Sequence, residues 1–148
     1  MTMTRQAAGE AVPVLTSKIG TCNSTPLISG AIAVAAMDQV LCIFQTGDMA
    51  AETIDFKVQT CDSDGTSNVA DLKAATQLAA HATNNDNKVV VISIRQEDLI
   101  ASGKKHIRMY GVTGGATGGT CAYTATGLAA KYGPGSGSQS AQVLQVKL

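Results

Sequence analysis

Hydrophobic and polar residues alternate most regularly at Ala51–Thr60, where Ile54, Phe56 and Val58 interleave with Asp55, Lys57 and Gln59. That period of two predicts a strand with one covered and one wet face. Lys88–Arg95 (KVVVISIR) predicts a second strand, with Val90, Ile92 and Ile94 in phase and rich in β-branching. Lys104–Thr113 predicts a third, placing Ile107 and Met109 opposite His106, Arg108 and Tyr110. In Asp38–Thr46 the five consecutive apolar residues Val40–Phe44 read as a strand covered on both faces. Further strands are expected at Pro13–Ser17, Ala31–Met37, Thr120–Tyr132 and Ala141–Leu148. In the last of these, Leu144, Val146 and Leu148 share a phase.

The punctuation fits short strands. Cys61–Thr66 is a polar turn, with Gly65 free to take positive φ. Gln96–Gly103 reads as one helical turn, acidic at its start and closed by glycine. Gly127, inside a strand, marks a bulge or a close backbone approach. Asn68–His81 offers a helical stripe through Leu72, Ala75, Leu78 and Ala79, but the surrounding β pattern favours strand or irregular structure. Seven to nine strands without a long helix predict an all-β fold, an antiparallel β-sandwich that is jelly-roll-like or immunoglobulin-like. Residues 1–12 read as a mobile N-terminal arm and 13–148 as a single sandwich domain.

Composition narrows the function. Hydrophobic residues make up 45% of the 148, yet aromatics are only 3%, so the core is aliphatic and alanine-rich and gains from burial against neighbouring subunits. Eleven basic and eleven acidic side chains cancel. Neither nucleic acid nor a membrane is then an expected partner, since nothing in the chain attracts a polyanion or an anionic surface over distance. No apolar stretch approaches the roughly 18 residues of a spanning helix, and a soluble chain is expected.

Candidate chemistry is thin. His81 and His106 lack a partner motif and read as surface histidines rather than a base or metal ligand. Asp62-Ser63-Asp64-Gly65 has two acidic positions of a calcium loop but neither the third nor the closing Glu, so a solvated turn is preferred. Asn84–Asn87 reads as a polar loop. Gly111–Gly119 lacks the Lys-Ser/Thr ending of a phosphate loop. Tyr110, Tyr123 and Tyr132 are expected at the sandwich rim or a subunit interface. Cys22, Cys42, Cys61 and Cys121 form no CxxC pair and are expected first as buried reduced thiols, then as a disulfide, and least as metal ligands. No catalytic, cofactor-binding or metal residue is expected, and no enzyme.

The run KVVVISIRQEDLIASGKKHIRMYGVTGGATGG, with an Ala-rich strand leading to KYGPGS and the preceding TIDFKVQTCDSDGTSNVADL, resembles small structural proteins of tailed-bacteriophage virions. It looks in particular like their capsid decoration, or cement, proteins. The resemblance covers roughly Ala51–Pro134. It implies a β-sandwich without an active site, made in the host cytoplasm and bound to the capsid exterior. There the major capsid protein is the partner, and trimers bridge capsomers against internal DNA pressure. Two other classes compete: a receptor- or carbohydrate-binding sandwich of a phage tail or fibre, and a jelly-roll enzyme. The shortage of aromatics counts against the first, and two unpaired histidines against the second.

Overall fold

A computed structural model describes residues 14–49, 52–78, 86–115 and 118–130. Nine strands run in chain order: β1 (Val14–Cys22), β2 (Leu27–Ile28), β3 (Ile32–Ala33), β4 (Met37–Met49), β5 (Ile54–Cys61), β6 (Ala70–Ala74), β7 (Val89–Arg95), β8 (His106–Thr113) and β9 (Gly119–Ala130). One short helix, α1 (Gln96–Ile100), lies between β7 and β8. The strands form two sheets, β1-β9-β4-β7 and β2-β8-β5-β6, with β3 also on β8. All pairings are antiparallel.

The order follows from rolling up one long hairpin. Its rungs are β1·β9, β2 and β3 on β8, β4·β7 and β5·β6. Rolling adds β4·β9 and β5·β8. That is the jelly-roll arrangement, and it decides between the two sandwiches expected from sequence.

The alternation seen in the sequence sets the interior. Val40, Cys42 and Phe44 face inward from β4, and Ile54, Phe56 and Val58 face them from β5. Ile107 and Met109 join from β8, and Ile92 and Ile94 from β7. Phe44 and Phe56 stack across the gap with centroids 4.8 Å apart. Each large apolar side chain so buried contributes about 1.5–3 kcal/mol.

Three expectations are corrected. The strand expected over Ala31–Met37 is only Ile32–Ala33, because the chain turns at residues 35–36 before β4 begins. There Gln96 Nε2 donates to the carbonyls of Val34 and Met37, both at 2.7 Å, and pins the corner beneath α1. Val40–Phe44 is not covered on both faces: Leu41 and Ile43 point outward, half-buried, in phase with polar Gln39 and Gln45. Tyr123 is not a rim residue: it is 3% exposed and packs edge-on to Phe44.

The turn and close-approach readings at three glycines hold. Gly65 takes φ +75° in the expected turn, and Gly103 takes φ +63° after α1. Gly127 is a close approach: a Cβ there would lie 2.6 Å from Met37 Sδ. Within Asn68–His81, Ala70–Ala74 is strand and the rest as far as residue 78 is irregular, with Leu78 bridging to Ile54. The N-terminal arm, Tyr132, His81, Asn84, Asn85 and the strand expected at Ala141–Leu148 lie outside the described residues.

Candidate docking face

The outer surfaces of the two sheets differ in chemistry. On β2-β8-β5-β6 the outward positions include Asp55, Lys57, Arg108 and Asp71, and several of these charges are tied together. Lys57 Nζ reaches Asp71 at 2.8 Å and lies 4.8 Å from the Tyr110 ring centre. Gln59 donates to Asp71 at 2.6 Å and accepts from Arg108 Nε at 2.8 Å. Arg108 also donates to the Gly65 carbonyl at 2.9 Å. Hydrogen bonds from Gln59 and Lys57 hold the Asp71 carboxyl below its ordinary pKa. This network occupies its own polar groups and faces water.

On β1-β9-β4-β7 the register sets side chains in rows across the sheet. One row runs Ile19, Ala122, Gln45, Val89. The next runs Ser17, Thr124, Ile43, Val91. Beyond them lie Thr126, Leu41, Ser93 and then Leu128, Gln39, Arg95. Arg95, at one corner, is the single formal charge in these rows, and it leans to Glu97 at 3.4 Å. Lys18 turns round the edge to donate to the Ile28 carbonyl in the other sheet. Ile19, Val89 and Val91 are 72%, 58% and 55% exposed. A face so poor in charge, rimmed by open apolar side chains on its two outer strands, suits contact with another protein.

The sites singled out from sequence behave as parts of the fold. Asp64 Oδ1 accepts from the amides of Thr66 and Ser67, both at 2.9 Å, and Oδ2 accepts from Ser67 Oγ at 2.5 Å. These bonds depress its carboxyl far below the usual range. Asp62 pairs with Lys104 and accepts from Asn68 Nδ2 at 2.6 Å. Asp64 is thus turned into its own turn, and Asp62 is shared between Asn68 and Lys104. His106 lies half-buried on β8 opposite Cys61 and Ala33. Gly114 and Gly115 pack close to Thr53 and Glu52, and Gly118 takes φ +58°. No group of three His, Cys, Asp or Glu is placed to hold a metal among the described residues, and no helix among them is long and apolar enough to cross a membrane.

All four cysteines are buried and unlinked. Sequence reasoning missed both the uncharged sheet face and the approach of Cys22 to Cys121. The first was legible only as outward-phase residues on four separate strands. The second joins the first and last described strands.

No family model and no curated protein matches the chain. Among solved structures it is similar to a subunit of Bacillus endospore appendages, described as disulfide-linked pili, at 11% identity and TM-score 0.44. That match covers 80% of this chain and 91% of the other. It is also similar to a protein of infectious bursal disease virus, Gx strain, at 12% identity and TM-score 0.33, over 83% of this chain and 33% of the other.

Proposed function

We propose that this chain is a virion structural protein that binds the outside of a phage capsid and stabilises it as a decoration, or cement, protein. The contrast between the two sheet faces carries the reading. One face has its charges satisfied in a water-facing network, and the other has Ile19, Val89 and Val91 open beside threonines, serine and alanine. Covering apolar surface gains about 25 cal/mol per Å², and a face almost without ions loses little hydration when covered. The partner is the major capsid protein, and the chain acts as a homotrimer bridging capsomers. Its role is contact, with no reaction, cofactor, nucleic acid or membrane involved.

The test adds purified protein to heads that lack it. Saturable binding and a higher temperature of head rupture are expected, with a trimer by sedimentation. Absence of binding to any head surface rejects the proposal.

A further inference from the structure

We propose that Cys22 and Cys121 are a disulfide site that fastens the first described strand to the last. The inference is independent of the docking face. In the β1·β9 register Cys22 stands opposite Gly119 and Cys121 opposite Gly20, which makes the two cysteines diagonal neighbours. Both point into the sandwich, 0% and 1% exposed. Because the residue facing each is glycine, no side chain from either opposing position comes between the sulfurs.

Diagonal neighbours have Cα atoms about 7–8 Å apart, and a disulfide spans about 4.4–6.8 Å, so bridging draws the strands together by on the order of 1 Å. The pair is placed where that movement is easiest. Cys22 is the last residue of β1, Gly119 is the first of β9, and the β4·β9 register shifts beside them between Thr46 and Met49. β1 is an outer strand of its sheet, so its end opens without disturbing two neighbours.

The thiols already act on each other. Hydrogen bonding with Cys121, then burial, pushes the Cys22 thiol far above its ordinary value. The same contact, aided by the Cys22 backbone, moves Cys121 downward. With oxidised glutathione as oxidant, the thiolate of one cysteine attacks one of its sulfurs and expels a glutathione thiolate. The other cysteine then gives up its proton, attacks the sulfur of the first and expels the second glutathione. The protein loses two protons and two electrons, and the oxidant becomes two thiols.

Cys42 and Cys61 are internal controls. Cys42 faces Ala125 and Ile92, with Tyr123, Gly127, Val90 and Ile94 diagonal to it, and Cys61 faces His106 with Arg108 diagonal, so neither has a cysteine in an opposing or diagonal position. The covalent loop from Cys22 to Cys121 would enclose β2 through β8, and a loop of that length strongly restricts the unfolded chain.

The experiment refolds the chain in reduced and oxidised glutathione, alkylates remaining thiols, and maps peptides after cleavage between Cys22 and Cys42. A Cys42→Ala, Cys61→Ala variant repeats the measurement with only this pair present. Expected are a Cys22–Cys121 linked peptide, alkylation confined to Cys42 and Cys61 in the native chain, and a melting temperature raised by roughly 5–10 °C. Cys22→Ala or Cys121→Ala should abolish both linkage and shift. Four alkylated thiols after oxidative refolding, linkage of another pair, or linkage without a rise in melting temperature overturns the proposal.

Discussion

Phe44 and Phe56 are the two phenylalanines of the chain, and they stack on each other from opposite sheets, 4.8 Å apart and inclined by 25°. Both are essentially inaccessible to water. Aliphatic and small side chains make up most of the surrounding core, so this stack supplies a large share of the bulk that keeps the sheets apart. Phe44→Ala or Phe56→Ala should each cost about 3–5 kcal/mol, with Phe→Leu markedly milder. Denaturant unfolding monitored by circular dichroism checks this. Near-neutral alanine variants would mean that the sheets do not depend on the stack.

A second prediction concerns the open side of the sandwich. Asp98 Oδ2 accepts from the Arg95 amide and from Lys73 Nζ, each at 2.7 Å, and Lys73 also donates to the Ser93 carbonyl. One carboxylate thus caps α1 and ties β6 of one sheet to the β7–α1 corner of the other. The Arg95 amide, then Lys73, holds its pKa below the ordinary carboxyl value. A depressed folded-state pKa means the stabilisation is fully present above the unfolded-state value and is lost as pH falls through the folded one. Asp98→Asn should therefore cost about 1 kcal/mol at neutral pH. Its stability deficit should shrink as the pH drops below about 4. A deficit that stays constant down to strongly acid pH would contradict the assignment.

Glycine sites give a paired test. Gly65 holds φ +75°, and a Cβ there would lie 2.8 Å from the Ala31 backbone nitrogen. Gly30 has negative φ and open space where its Cβ would be. Gly65→Ala should lose about 1–3 kcal/mol while Gly30→Ala stays within a few tenths. Thermal melts of the two variants side by side decide it.

The docking face predicts an interaction that ionic strength barely touches. Val91→Glu and Ile19→Glu should each weaken head binding at least tenfold, which corresponds to about 1.4 kcal/mol, with melting temperature unchanged. Ile100→Glu, more exposed than either but on α1 outside the face, should bind normally. Raising salt should change affinity little, because the face carries only Arg95. Strong salt sensitivity, or equal loss in all three variants, would assign binding to another surface.

How far the sequence reached depended on what a period of two can encode. At Ile54–Val58 and Ile107–Met109 the alternation named the inward residues, since one phase was apolar and the other charged. The Gly65 and Gly103 turns were equally legible, because positive φ selects glycine locally. Val40–Phe44 and Thr120–Tyr132 resisted. Both phases there are apolar or small, so the pattern told which residues share a face without telling which face is covered. Only pairing with β7, β9 and β1 placed Leu41, Ile43, Val91 and Ile19 on one outward surface and sent Tyr123 inward. Cys22 and Cys121 make the same point more sharply. Strand identity is a local property of the chain, whereas the register that sets Cys22 beside Cys121 comes from pairing the first described strand with the last, far apart in sequence.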